Sequence, residues 1–135
     1  MDIRPISRGL SVAPQILADD LEEVAKAGYR AIICNRPDGE AADQPTYDEI
    51  AAAAEKAGLE ARYQPIVAGK VSDEDAETFQ RLLTELPGPV LAYCRTGTRS
   101  ATLWSLSQAA ELAPSDILEK TKAAGYDMGG VVRRI

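Results

Sequence analysis

Histidine is absent from this sequence of 135 residues, and cysteine occurs only twice. Without histidine the chain cannot use Ser-His-Asp or Cys-His catalysis, a histidine-ligated zinc ion or a histidine general base. Two cysteines are too few for a disulfide scaffold or a cysteine zinc site, so reduced thiols are the expected state and no metal is predicted. Any chemistry must therefore depend on Cys, Arg, Ser, Tyr, Asp or Glu.

Long apolar runs and an excess of positive charge are also lacking. No apolar run approaches the roughly 18 residues of a membrane span, and no basic-then-apolar N-terminus predicts a secretion signal. A net charge of −6 with a single Trp argues against a nucleic-acid partner. Hydrophobic residues make up 45% and charged residues 27%, which is typical of a globular enzyme. We expect one cytoplasmic domain over residues 1–135, with no cofactor and no membrane partner.

Helix and strand patterns alternate along the chain. The predicted helices span residues 18–27, 47–57, 73–86, 98–108 and 114–124, and the predicted strands span residues 29–34, 59–66 and 90–93. Helix ends are marked by Thr46, Ser72 and Asp127 as N-cap candidates and by Gly28, Gly58 and Gly125 as left-handed C-terminal residues. This alternation predicts a single-domain α/β fold with a largely parallel central sheet flanked by helices.

The segment Cys94-Arg95-Thr96-Gly97-Thr98-Arg99-Ser100 follows the predicted strand 90–93 and leads into the helix 98–108. A strand, a tight loop and a helix N-terminus would deliver the thiol to the edge at which parallel strands end, where open α/β sheets bind ligands. Backbone amides of the loop and the helix dipole would bind an anion and favour the thiolate form of Cys94.

Each residue type in this loop suits such chemistry. Cys94 would be the nucleophile, and Gly97 would let the backbone amides turn inward. Arg99 would hold two oxygens of an anion in a bidentate fork, and Ser100 would donate a hydrogen bond to the sulfur. The anion-binding set would also include Arg95, Thr96, Gly97 and Thr98. The simpler alternative is a buried free cysteine beside a solvated helix face, which leaves Gly97, Arg99 and Ser100 unexplained as a group.

This loop resembles two known anion-binding loops. Cysteine phosphatases carry Cys-x5-Arg-Ser/Thr, and single-domain rhodaneses often carry Cys-Arg-x-Gly-x-Arg-Ser. The spacing here is Cys-x4-Arg, one residue shorter than in the phosphatases, and Tyr93 stands where those enzymes usually have His. Through residues 9–15, 35–40 and 91–104, nearly the whole chain resembles the bacterial phosphatase-like domain of beta-lactamase hydrolase-like proteins. The resemblance implies a dual-specificity-phosphatase-like fold, and links some members to sulfide and persulfide metabolism as rhodanese-like sulfurtransferases.

Two further features belong to the same edge of the predicted sheet. Residues 35–40 follow the strand 29–34, and they form either a polar turn or an active-site wall that includes Arg36 and Asp38. Cys34, at the end of that strand, is either a relay thiol for Cys94 or a buried free cysteine.

The proton donor separates the two reaction classes. A phosphatase must protonate the leaving oxygen, but residues 65–70, which the resemblance aligns with the acid loop, contain no carboxylate. Asp73, Glu74 and Asp75 are predicted to cap a helix, so Asp38 is the remaining candidate acid. Sulfur transfer needs no such acid, because attack of Cys94 on thiosulfate or a persulfide expels sulfite or a weakly basic thiolate.

The first expectation is therefore a rhodanese-like sulfurtransferase, with a sulfide-oxidising enzyme as partner or fusion. The alternative is a tyrosine- or dual-specificity-like phosphatase that acts through a cysteinyl-phosphate intermediate. A second alternative is a non-enzymatic binder of anions or phosphoproteins. The expected ligand is a small oxyanion, a persulfide or a phosphate ester.

Overall fold

The computed structural model describes residues 1–135 and contains one five-stranded sheet. Its strands are β1 (Arg4–Pro5), β2 (Leu10–Ala13), β3 (Ala31–Cys34), β4 (Glu60–Tyr63) and β5 (Val90–Tyr93). The strand order is β1-β2-β5-β3-β4, in which β2, β5, β3 and β4 are parallel and only the edge strand β1 is antiparallel. The predicted α/β fold with a largely parallel sheet is confirmed, with β5 at its centre.

Six α-helices surround the sheet. They are α1 (Leu21–Lys26), α2 (Tyr47–Lys56), α3 (Asp73–Glu85), α4 (Thr98–Ser107), α5 (Pro114–Ala123) and α6 (Gly129–Val132). The predicted helix 18–27 is instead a 3-10 turn at Ala18–Asp20 followed by α1. None of these helices is both long and apolar enough to cross a membrane.

Alternate residues of the central strands face two separate hydrophobic cores. Ile33 lies in the core formed with α3, α4 and α5, together with Phe79 and Leu103. The neighbouring Ile32 lies in the opposite core with Ile50 of α2. Burying an aliphatic or aromatic side chain of this size contributes about 1.5–3 kcal/mol. Because β3 and β5 are buried on both faces, the loops that follow them start from rigid positions.

The predicted helix ends are present. The C-terminal glycines Gly28, Gly58 and Gly125 have φ angles of 101°, 85° and 94°. Thr46 Oγ1 accepts the backbone N–H of Glu49 at 3.2 Å, which caps α2. Ser72 and Asp75 form a reciprocal capping box at the start of α3. Asp127 accepts the backbone N–H of the first residue of α6. These local signals therefore operate as the sequence indicates.

Candidate active site

The loops that follow β2, β5, β3 and β4 lie at one edge of the sheet, which we call the carboxyl edge. Cys94 directly follows β5, and its backbone N–H donates to Ala13 O of β2 at 3.3 Å. On the other side of β5, the N–H of Asn35 donates to Tyr93 O at 2.8 Å. The start of the Cys94 loop is therefore anchored to both neighbouring strands.

The Cys94 thiol is fully buried, and it accepts the backbone N–H of Gly97 at 3.1 Å. A backbone amide thus points directly at the sulfur, the atom that would attack a substrate. Gly97 has a φ of 91°, a conformation that residues with a Cβ seldom adopt. The place of its missing Cβ is taken by the hydroxyl of Tyr126, which donates to Thr96 O at 3.1 Å. Tyr126 thus holds the loop in the shape that directs an amide at the sulfur.

Arg99 is buried, with 8% of the residue's surface exposed. Its Nη1 and Nη2 donate to the two carboxylate oxygens of Glu40 at 2.8 Å each, and Nη1 also donates to Ile66 O at 2.8 Å. A guanidinium has five N–H donors, so Nε–H and one N–H of Nη2 remain, and these lie on a single edge. The hydrogen bond to Glu40 is the largest cause that raises the pKa of Arg99, and the neighbouring Cys94 also contributes. The free edge of Arg99 can hold two oxygens of an anion next to the sulfur.

Glu40 connects two buried arginines, and sequence reasoning missed it. Besides Arg99, its carboxylate accepts a hydrogen bond from Arg36 Nε at 3.0 Å, while Arg36 Nη1 donates to Gln15 Oε1 at 3.1 Å. The hydrogen bond from Arg99 lowers the pKa of Glu40, and Arg36 adds to this effect. The sequence did contain a signal for Glu40. Two arginines that directly follow buried strands need a carboxylate partner, because buried arginines are almost always paired. Arg36 therefore lies in the wall of the site, as one of the two interpretations of residues 35–40 predicts.

Asp38 is not placed as the proton donor that the sequence suggested. Its side chain is exposed, and Oδ1 accepts the backbone N–H of Tyr47 at the start of α2 at 2.8 Å. Its backbone N–H donates to Tyr63 Oη at 2.9 Å, and the Tyr63 ring stacks on the Tyr47 ring with 4.6 Å between centroids. Asp38 is thus engaged in joining its loop to the N-terminus of α2.

Ser100 also differs from its predicted role as a donor to the sulfur. Its buried hydroxyl donates to Asn35 Oδ1 at 2.8 Å, and Asn35 Nδ2 donates to Gln64 O at 3.1 Å. A buried hydroxyl needs a partner, and the side-chain amide that follows β3 supplies one. Ser100 thereby ties the first turn of α4 to the loops that follow β3 and β4.

The remaining residues of the loop form its outer rim. The side chains of Arg95, Thr96 and Thr98 are exposed, and Arg95 O accepts the backbone N–H of Gln15 at 3.3 Å. The hydroxyls of Thr96 and Thr98 are hydrogen-bonded to each other at 3.1 Å. Arg95 therefore lies at the mouth of the site, whereas Arg99 lies inside it.

Cys34 is a free, buried thiol whose Sγ donates to Arg36 O at 3.3 Å. Burial is the main cause that raises its pKa, so the protein favours the uncharged thiol. The buried hydroxyl of Tyr93, in the adjacent strand, has no hydrogen-bond partner. This environment suits a core cysteine, and a relay role for Cys34 stays a prediction. No three His, Cys, Asp or Glu side chains are grouped so as to hold a metal ion.

Comparison with known proteins gives a consistent relationship. The family model described as "Beta-lactamase hydrolase-like protein, phosphatase-like domain" matches residues 2–111. A beta-lactamase hydrolase-like protein from Xylella fastidiosa is 34% identical over 134 residues, which are 98% of this chain. A similar protein from Agrobacterium fabrum is 33% identical over 130 residues, or 95% of this chain. The chain spans 31% and 30% of the lengths of these two relatives.

Solved structures share the fold. A candidate phosphatase from Neisseria meningitidis is 38% identical and superposes with a TM-score of 0.90, covering 99% of this chain and 96% of that one. TpbA from P. aeruginosa is 17% identical with a TM-score of 0.75, covering 100% of this chain and 85% of that one. The latter similarity extends to the fold alone.

Proposed function

The chain belongs to the phosphatase-like domain family of beta-lactamase hydrolase-like proteins, and from this premise we propose that it is a cysteine-dependent phosphatase. The observation that carries the proposal is the free edge of the Arg99 guanidinium beside Cys94, whose thiol accepts a hydrogen bond from the Gly97 amide. The 38% identity to a candidate phosphatase supports hydrolysis of phosphate esters better than sulfur transfer, which the short loop and the missing proton donor had favoured in the sequence.

The reaction begins with attack of the Cys94 thiolate on phosphorus. The S–P bond forms, the bond from phosphorus to the leaving oxygen breaks, and the leaving group takes the electron pair. Loop amides and the free edge of Arg99 would stabilise the charge on the phosphoryl oxygens. Water then attacks the cysteinyl phosphate, which releases inorganic phosphate and regenerates the thiolate.

Glu40 contributes by positioning Arg99. Because Glu40 and Ile66 O together hold one side of the guanidinium, the opposite edge is oriented before the substrate arrives. Donors that need no reorganisation during the reaction stabilise the transition state most effectively. Buried Arg36 fixes the other side of the Glu40 carboxylate.

Sulfur transfer is the second candidate, and the six-residue loop from Cys94 to Arg99 is the observation that favours it. The loop has one amide fewer than the phosphatase pattern that it resembles, and a terminal sulfane sulfur is smaller than a phosphoryl group. Cys94 would accept that sulfur from thiosulfate or a persulfide supplied by a sulfide-oxidising partner. A binder without catalysis would retain its affinity for anions after Cys94→Ser, whereas either enzyme would lose its covalent intermediate.

A parallel assay separates the candidates. Wild-type protein and Cys94→Ser are incubated with p-nitrophenyl phosphate, and separately with thiosulfate plus cyanide. We expect hydrolysis of the aryl phosphate that depends on Cys94, and a phosphoryl adduct in the intact mass of rapidly quenched protein. A one-sulfur adduct on Cys94 without phosphate release would reverse the order of the two candidates.

A further inference from the structure

The loops at the carboxyl edge contain five carboxylates, which are Asp19 and Asp20 in the 3-10 turn before α1, and Asp38, Glu40 and Asp43 in the loop after β3. Three of them, Asp20, Asp38 and Glu40, already accept hydrogen bonds from the protein. Asp19 and Asp20 belong to that turn, where Asp20 accepts the N–H of Leu17 at 2.8 Å. Asp38 is bound to the start of α2. The loop after β4, residues 64–72, has no carboxylate, and Lys70 is its only charged residue.

Glu40 is the carboxylate that contacts the proposed catalytic arginine, but its environment keeps it ionised. Hydrogen bonds from Arg99 and Arg36 lower its pKa, so protonation requires a pH below the ordinary range of glutamate. An anion held by the free edge of Arg99 would leave the Arg99–Glu40 and Arg36–Glu40 hydrogen bonds intact, so Glu40 would stay ionised when the substrate binds. The Tyr126 hydroxyl, which lies against Gly97, donates a hydrogen bond to Thr96 O, and burial raises the pKa of this phenol. Neither group is suited to donate a proton near neutral pH.

We propose that this site acts on phosphoryl compounds whose leaving group departs as a stable anion, with acyl phosphates as the substrate class. The inference rests on the proposed phosphatase activity and narrows it. In an acyl phosphate the leaving carboxylate takes the electron pair of the broken P–O bond and needs no proton. An alkyl phosphate would release a strongly basic alkoxide, and the lack of a positioned acid typically slows such a step by about 10²–10⁴-fold.

The second half of the reaction also balances without a protein acid. Water attacks the phosphorus of the cysteinyl phosphate, the S–P bond breaks, and sulfur recovers its electron pair as the thiolate. Both protons of the water leave on the released inorganic phosphate, as dihydrogen phosphate. Cys94 needs no protonation, because a thiolate is a stable leaving group held by the Gly97 amide.

The test is the dependence of kcat/KM on the leaving group, since kcat/KM reports formation of the cysteinyl phosphate. The full chain is assayed with dinitrophenyl, p-nitrophenyl and phenyl phosphate and with acetyl phosphate, and the rate with Cys94→Ser is subtracted. We expect rapid turnover of acetyl and dinitrophenyl phosphate and a fall of about 10²–10⁴-fold toward phenyl phosphate. A kcat/KM that is nearly constant across the aryl series would overturn the inference.

Variants identify any hidden acid. Asp38→Asn, Asp43→Asn and Lys70→Gln each remove an exposed titratable group of the loops after β3 and β4. All three should leave the dependence of kcat/KM on the leaving group unchanged. Glu40→Gln should lower every rate by a similar factor, because Glu40 orients Arg99 and donates no proton. A variant that slows phenyl phosphate far more than dinitrophenyl phosphate would identify its residue as the acid and reject the inference.

Failure of the underlying function gives a different result. If neither acetyl phosphate nor dinitrophenyl phosphate is hydrolysed in a Cys94-dependent manner, the proposed phosphatase activity is wrong, and the substrate class falls with it. If the aryl phosphates are all hydrolysed at similar rates and hydrolysis depends on Cys94, the phosphatase activity stands and only the assignment of acyl phosphates as the substrate class is rejected.

Discussion

Arg99 and Glu40 face each other through two N–H···O contacts of 2.8 Å, although they are 59 positions apart in the sequence. The carboxylate holds one side of the guanidinium, so the opposite edge is presented beside Cys94. The side chain of Glu40 is 26% exposed and that of Arg99 only 9%. The pair therefore joins a surface loop to the interior of the proposed active site.

Replacing Glu40 by Gln should lower kcat/KM for aryl phosphates by about 10²-fold, because a small displacement of a positioning group costs rate on this scale. Glu22→Gln, an exposed substitution on α1, is the matched control and should have no effect. Steady-state kinetics with p-nitrophenyl phosphate measure both variants. Equal rates for Glu40→Gln and wild type would exclude the positioning role.

The stability that Glu40 contributes should depend on pH. Its pKa is lowered in the folded protein, so the contribution is complete above the ordinary glutamate pKa of about 4.3 and is lost as the pH falls through the lower folded value. Urea unfolding of wild type and Glu40→Gln at pH 7 and near pH 3 tests this directly. We expect a difference in free energy of unfolding at pH 7 that shrinks at the acidic pH; a difference that grows on acidification would contradict the assignment.

Arg99 and Arg95 should respond differently to substitution by lysine. Arg99→Lys should reduce kcat by about 10²–10³-fold, since an ammonium cannot reproduce the two-donor edge and removing one such donor has this effect. Arg95→Lys should be far milder, because Arg95 is exposed at the rim. Inhibition by inorganic phosphate should weaken only in Arg99→Lys. Equal losses in the two variants would mean that the wrong arginine has been assigned to the anion.

Gly97→Ala should destabilise the loop more than an equivalent change elsewhere. Gly58 has a similar φ of 85° with no atom within 4 Å of its missing Cβ, so Gly58→Ala reports the backbone cost alone, about 1–2 kcal/mol. Gly97→Ala adds a clash with the Tyr126 hydroxyl. Urea unfolding should show a larger loss of unfolding free energy for Gly97→Ala than for Gly58→Ala. Adding Tyr126→Phe to Gly97→Ala should recover part of the difference between the two variants. Identical losses at the two glycines would argue against the contact.

The two thiols should differ in alkylation by iodoacetamide. Cys34 should react slowly at neutral pH, because burial raises its pKa and its Sγ is bonded to Arg36 O. Cys94 is buried as well, but its Sγ accepts the Gly97 N–H and is not held as a hydrogen-bond donor, so it should react faster. Inorganic phosphate should protect it, since the anion would occupy the loop. Peptide mass spectrometry measures the two rates separately. Protection of Cys34 and not of Cys94 would place the anion elsewhere.

Local features of this protein were predictable from the sequence because neighbouring residues determine them. Gly28, Gly58 and Gly125 end helices through their own backbone freedom, and Ser72 caps α3 through a residue three positions away. The apolar run of β5 followed by the Cys94 loop likewise predicted a thiol at the carboxyl edge of a parallel sheet. The short N-terminal strands β1 and β2 were not predicted, because a two-residue and a four-residue strand carry little periodicity of their own.

The partners inside the site were decided by the tertiary structure. Ser100 was expected at the sulfur and instead donates to Asn35, Asp38 was a candidate acid and instead joins α2, and Glu40 was missed as the partner of Arg99. Each of these contacts depends on which strands are adjacent and on how their loops fold over the sheet. Composition and spacing fix which groups are available, but a buried polar group takes whichever partner the packed chain brings within about 3 Å of it.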